Sequence, residues 1–222
     1  MHRYLQIVNL GKKEFGDFYK INHRFWLQRL ANDINDSLIF VDHPHVIIVG
    51  NQGNSTEIKL PYAMARREDM PVSQTDWDGE MTYRGPGQLV IYPVMHLLRQ
   101  GLTMDELMQK MENIFIILLH QYGIQAHILP GGIIAVDGCK IGSIDLEERQ
   151  KVTRFSMVLN VNPRLSLLRM LQLEDNQAKG VTSMYHQLKK KVDVRQLKMH
   201  FISKFEEEFG YTMEDSSASL FA

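Results

Sequence analysis

The chain is poor in cysteine: Cys139 stands alone among 222 residues. A single thiol excludes an internal disulfide and fits a reducing compartment such as the cytoplasm. Long hydrophobic runs are also missing. No stretch reaches the roughly 18 apolar residues of a membrane span, and the opening Met1-His2-Arg3-Tyr4-Leu5-Gln6 lacks the apolar core of a secretory signal. Neither sign of charge is in excess. With 25 basic and 26 acidic side chains the formal net charge is −1, so no overall attraction to nucleic acid is expected. Repeats and low-complexity linkers are absent, which leaves no clear domain boundary. The expectation is one domain over residues 1–213 and a short polar tail, 214–222.

What is present is an ordinary globular composition, 44% hydrophobic and 23% charged, with the apolar residues set in recognisable periods. Residues 5–10 read as a first strand. Phe15, Phe18, Phe25, Trp26 and Leu30 recur at helical spacing between residues 14 and 32. The Ile- and Val-rich runs 37–41 and 46–49 read as strands, and so does 89–93. Thr103-Met104-Asp105-Glu106 is a capping box that predicts a helix ending near Tyr122-Gly123. Residues 126–144, turning at Asp137-Gly138, predict a β-hairpin, and 156–161 a further strand. Asp193 and Gln196 suggest a second capping box, for a helix reaching Phe209 with Val194, Leu197, Phe201, Phe205 and Phe209 on its inner face. Together these predict a single α+β domain, a mixed sheet with packed helices.

The most informative segment is Thr82-Tyr83-Arg84-Gly85-Pro86-Gly87-Gln88 before the apolar run Leu89-Val90-Ile91-Tyr92. Two of the three turn residues lack a Cβ, so the backbone there can be approached closely. The segment resembles the T-Y/W-H-G-P-G-Q signature of the lipoyl(octanoyl) transferases. The likeness extends in order along the chain. His43-Pro44-His45-Val46 with Gly50-Asn51-Gln52-Gly53 is similar to the family's H-P-P-V…G-x-x-G loop. Pro130-Gly131-Gly132 through Lys140-Ile141-Gly142-Ser143-Ile144 is similar to its P-G-V-W/Y-V…K-I-A-S/A-I-G hairpin. Val158-Leu159-Asn160-Val161 and Val181-Thr182-Ser183 match A-L-N-V and V-T-S.

The resemblance implies the fold shared with lipoate- and biotin-protein ligases. It also implies transfer of an octanoyl group from octanoyl–acyl carrier protein to a lysine of a lipoyl domain, in 2-oxoacid dehydrogenases or the glycine cleavage H protein. No cofactor, nucleic acid or membrane is implied. By the same resemblance Lys140 lies near the acyl carbonyl. Trp77, Asp78, Gly79, the run Thr82 to Gln88, Ser143, Ile144, Ser156 and Met157 lie along the substrate. Several reactive positions depart from the pattern. Trp77-Asp78-Gly79 stands for R-G-G, Arg84 for the signature histidine, Phe155-Ser156 for the H-G before A-L-N-V, and Glu174 for the nucleophilic cysteine. Glu174 could pair with Lys140 or act as a general base towards the incoming amine. Cys139 adjoins Lys140 and could act as a relocated nucleophile, although neighbours on a strand face opposite ways. Arg84 could hold a phosphate or simply flank the turn. His43-Pro44-His45 has metal-like spacing without companion ligands, so turn and packing roles are expected. Two further readings stay open: an adenylate-forming ligase, against which no R-R-x-x-G-G-G segment is present, and a non-catalytic protein that binds an acyl carrier or lipoyl domain.

Overall fold

The computed structural model describes residues 3–53, 70–79, 81–170 and 178–213. The N-terminal part runs β1 (Arg3–Lys12), α1 (Phe15–Ala31), β2 (Asp36–Asp42), β3 (Val46–Val49), β4 (Val72–Gln74), β5 (Met81–Arg84) and β6 (Gln88–Val94). Next come α2 (Leu97–Gln100), α3 (Met104–Gln121), β7 (His127–Leu129), β8 (Ile133–Val136), β9 (Cys139–Arg149) and β10 (Val152–Asn160). The chain continues through α4 (Leu165–Met170), β11 (Gly180–Val181), α5 (Met184–Leu188), α6 (Val194–Phe209) and β12 (Tyr211–Met213).

Among the described residues the main sheet has nine strands, ordered β12-β1-β2-β6-β10-β9-β8-β7, with β11 beside β9. It is mixed: β1 runs parallel to β2 and β12, and β11 parallel to β9, while successive strands along β2-β6-β10-β9-β8-β7 are antiparallel. Both faces are covered, which explains the continuous apolar runs read from the sequence. Leu38, Phe40, Leu89, Ile91, Met157 and Leu159 pack under α3 and α6. The alternating residues Ile39, Val41, Val90, Tyr92 and Val158 pack on the other face with Phe15, Phe18 and Trp26 of α1. A small sheet, β4-β3-β5, holds its own cluster with Leu167 and Leu168 of α4.

The helix ends follow their chemistry. Thr103 and Glu106 form the reciprocal capping box of α3, and the Asp193 carboxylate accepts from the N–H of Arg195 and Gln196 at the start of α6. The β8–β9 hairpin turns through Asp137 and Gly138, both at positive φ as such a tight turn requires. The β9–β10 hairpin is longer than the expected strands. It turns through Gln150 and Lys151, also both at positive φ (52° and 67°), in residues that carry no turn signature.

Candidate active site

Strands β1, β2 and β10 end, and β6 and β9 begin, at one end of the main sheet, and the family-like motifs gather there. The Gly85-Pro86-Gly87 turn joins β5 of the small sheet to β6 of the large one. Gly87 has φ +87°, and a Cβ there would lie 2.5 Å from the Asn162 carbonyl oxygen. The close approach that glycine allows is therefore used on the protein's own backbone. The N–H groups of Val161 and Asn162 donate to the Gly87 carbonyl at 3.1 and 2.8 Å. At Gly85 a Cβ would collide with the Tyr83 hydroxyl, which bonds to His45 Nδ1 at 2.6 Å.

From this turn a hydrogen-bond chain runs to Lys140. Gln88 Oε1 accepts from the Gly85 N–H at 2.8 Å, and Gln88 Nε2 donates to Asn160 Oδ1 at 3.0 Å. Asn160 Nδ2 donates to the Thr182 carbonyl at 3.2 Å, and the Thr182 N–H donates to the Lys140 carbonyl at 2.9 Å. Gln88, Asn160 and Thr182 are buried, so each link replaces a solvent bond that burial has removed. The four motifs are thus parts of one polar network. Strand β10 pairs with β9 only as far as Gly142, and β11 takes the place beside Cys139 and Lys140. Ile141 lies in the core under α3 and α6, so alternation turns Lys140 to the opposite face and Cys139 away from it. Cys139 is half-buried, next to Gly180. Glu174 lies outside the described residues.

Arg84 is neither a surface residue beside the turn nor open to solvent, for only 1% of it is exposed. Its Nη1 donates to Thr82 Oγ1 at 2.6 Å and to the Tyr83 carbonyl at 2.9 Å. Its Nη2 donates to Ser156 Oγ at 2.8 Å and to Asp145 Oδ2 at 3.1 Å. Ser143 Oγ donates to the same Asp145 oxygen at 3.0 Å. The Arg84 Nε–H is buried with no hydrogen-bond partner among the described residues. The Phe155 ring lies 5.7 Å from the guanidinium, and Trp77 stacks on Phe155 at 4.1 Å with the planes 3° apart. Phe155 sits at φ +69°, an uncommon conformation for an aromatic residue on a strand. Sequence reasoning missed Asp145 as the partner of Arg84. A lone acid between Ile144 and Leu146, two positions after Ser143 and hence on the same strand face, was the available signal.

The segment Trp77-Asp78-Gly79 is held by the Gly50 loop: the N–H of Asn51 donates to the Trp77 carbonyl at 2.7 Å and that of Gln52 to the Gly79 carbonyl at 3.0 Å. The Asp78 N–H donates to Glu147 Oε2 at 2.9 Å. Ser143 and Ser156 face Arg84. Ile144 and Met157, expected along the substrate, lie in the core under α3 and α6, because adjacent strand residues alternate. His43 is buried and hydrogen-bonded: Nδ1–H donates to the Lys13 carbonyl, so Nε2 accepts from the Tyr92 hydroxyl, both at 3.0 Å. Burial lowers the His43 pKa to about 4 and raises that of Tyr92 to about 12. Among the described residues no group of three or more His, Cys, Asp or Glu could hold a metal ion, and no helix is long and apolar enough to cross a membrane.

Residues 19–206 match the family model described as the lipoyl protein ligase A/B catalytic domain. Among curated relatives, the octanoyltransferase of Methylococcus capsulatus is 35% identical over 70% of this chain and 72% of its own length. That of Alkaliphilus metalliredigens is 29% identical over 94% of this chain and 96% of its own. Among solved structures, lipoate-protein ligase A bound with ATP has a TM-score of 0.70 at 13% identity, covering 100% of this chain and 93% of that one. The biotin protein ligase of Aquifex aeolicus in complex with biotin and ATP has 0.56 at 10% identity, covering 98% and 73%. Both likenesses are to the same α+β fold.

Proposed function

Because the chain belongs to the lipoyl protein ligase A/B catalytic domain family, we propose that it is an acyltransferase of protein lipoylation, moving an octanoyl group from acyl carrier protein to a lysine of a lipoyl domain. The observation that carries this reading is the network from the Gly-Pro-Gly turn through Gln88, Asn160 and Thr182 to the Lys140 backbone. It fixes Lys140 relative to a turn on the neighbouring sheet, the kind of preorganisation that acyl transfer needs. Lys140 orients the thioester carbonyl and stabilises its oxygen as charge develops. The acceptor lysine attacks as a free amine, the new C–N bond forms as the C–S bond breaks, and the thiol leaves with the proton that the amine gives up. Glu174, which stands where the family pattern has its cysteine, is the candidate base to take that proton first. Cys139, turned away from Lys140, is the weaker candidate.

Incubation of the protein with octanoyl–acyl carrier protein and a lipoyl domain, without ATP, tests the reading by intact mass. Octanoylation of the lipoyl domain over many turnovers is expected. Lys140→Ala should reduce transfer at least 100-fold with the melting temperature unchanged, and full activity in that variant would sink the scheme. One observation favours a non-catalytic binder instead: the Arg84–Asp145 pair and the Trp77–Phe155 stack occupy positions where the family pattern has other residues. Tight carrier binding without turnover would select that reading. Loading that needs ATP and free octanoate would select a ligase.

A further inference from the structure

Beside the Gly85–Gln88 turn lies a cleft of about 600 Å³. Its walls are the ends of β1 and β2, the turn itself and the first residues of α6. Among the described residues three cations line it, Lys12, Arg195 and Lys198, against one carboxylate, Asp42. Lys12 and Arg195 are exposed at the rim. Lys198 is different: its side chain is 7% exposed, while that of its partner Asp42 is 55% exposed, with Nζ to Oδ1 at 3.3 Å. An ammonium has three N–H donors. Among the described residues this one makes a single hydrogen bond, to Asp42; it rests over the Phe40 ring at 5.8 Å and borders the cleft. A buried cation with donors to spare is costly unless something anionic completes its shell. The run Lys189-Lys190-Lys191, just ahead of α6, adds exposed positive charge close by in the chain.

We infer that this cleft binds the phosphate of the arm that carries the acyl thioester, with Lys198 as its principal contact and Arg195 and Lys12 at its rim. The inference rests on the reading that the donor is a carrier-bound thioester. The cleft and the start of β9, where Lys140 sits, share one end of the sheet, and the turn that walls the cleft is joined to the Lys140 backbone through Gln88, Asn160 and Thr182. A phosphate held in the cleft would therefore position an extended arm whose thioester reaches Lys140, and a phosphate needs charge-assisted donors of this kind.

Calorimetry tests this without turnover, so a failure of the transfer reaction and a failure of the cleft are told apart. The ligands are octanoyl-pantetheine 4′-phosphate, octanoyl-pantetheine without the phosphate, and inorganic phosphate alone. The phosphorylated arm should bind at least tenfold more tightly than its phosphate-free counterpart. Lys198→Met should remove most of that preference while leaving affinity for the phosphate-free arm unchanged. Arg195→Ala should weaken the preference a few-fold and flatten its salt dependence. Should Lys198→Met fail to fold, Lys12→Ala combined with Arg195→Ala, both at exposed positions, should still weaken the preference. Equal affinity for both arms in the unmodified protein, or a preference that survives these variants, would overturn the proposal. So would inorganic phosphate binding as tightly as the phosphorylated arm, since the cleft would then be a free-anion site.

Discussion

Two buried arginine–aspartate pairs, Arg29–Asp36 at the far end of the sheet, where β2 begins, and Arg84–Asp145 midway along β9 and β10, are built differently. At the far end the centre is a carboxylate. Asp36 accepts from Arg29 Nε, the His96 N–H, the Gln100 amide and the Tyr211 hydroxyl, so it ties α1, α2 and β12 to the start of β2. Its acceptor capacity is filled. In the second pair the centre is a guanidinium. Arg84 gathers acceptors from β5, β9 and β10, yet one of its donors stays buried and unmet. Its partner Asp145 is shared with Ser143 and is 14% exposed. The Asp36 carboxylate is itself saturated, although its partners His96 and Gln100 each keep an unmet buried atom, Nδ1 and Oε1, among the described residues, whereas the Arg84 guanidinium is itself the group with an unmet donor. Under the proposed function the first pair is structural and the second belongs to the proposed site.

Removing the saturated centre should have the largest effect on stability. Asp36→Ala strands Arg29 in the core and should cost about 3–5 kcal/mol, read as a lower urea midpoint, while transfer per folded molecule is retained. Next comes His43, which lies beside the Arg84 site through Tyr92. In the unfolded chain a histidine takes its proton near pH 6.5, while in the folded protein burial holds His43 neutral down to about pH 4. The unfolded state therefore binds more protons between those values. Stability should fall as pH drops from 6.5 to 4, by up to about 3 kcal/mol, with no contribution from this group above pH 6.5. His43→Gln should flatten that slope in denaturant titrations across the window. Arg84 also lowers the His43 pKa, so Arg84→Met should make the slope shallower.

Arg84→Met itself should destabilise by about 1–3 kcal/mol, less than Asp36→Ala, because Asp145 keeps its Ser143 bond and some solvent. Transfer should fall at least tenfold. If Arg84→Met matched Asp36→Ala in stability and left transfer intact, the two pairs would be equivalent and the distinction between them would be lost.

The far pair and the site pair were unequally legible in the sequence. Helix α3 was readable from Thr103 and Glu106 because a capping box is local chemistry, and the central strands were readable because burial on both faces makes their apolar runs continuous. The β8–β9 turn was announced by Asp137-Gly138, but the β9–β10 turn uses Gln150 and Lys151, and only tertiary pairing along long strands imposes their positive φ. Strands β4, β5, β11 and β12 and helices α4 and α5 are too short to carry a period. The site motifs were recognisable one by one, and Arg84 stood out as a departure. Its partner Asp145, 61 residues away, could be placed on the Ser143 face of its strand by alternation, but its pairing with Arg84 is a matter of three-dimensional structure that no local pattern encodes. The same holds for the Trp77–Phe155 stack, where two departures meet.

The smallest effect bears on backbone strain, and there the surroundings of the two pairs differ again. Near the far pair, Asn32 has φ +66° as the C-cap of α1, a position where asparagine is at ease. At the site, Phe155 holds φ +69° within β10, and a side chain with a Cβ costs about 1–2 kcal/mol in that conformation. Phe155→Ala and Phe155→Gly both lose the stack on Trp77 and the contact with Arg84, so those losses cancel in the comparison. What differs is the backbone. In an ordinary strand glycine is the less stable of the two by its extra unfolded-state freedom. Here the order should reverse, with Phe155→Gly about 1 kcal/mol more stable than Phe155→Ala in paired denaturant titrations. Alanine equal to or better than glycine would mean that the backbone relaxes once the ring is gone. The positive φ would then be a consequence of the Trp77 stack, not a constraint that the strand imposes on it.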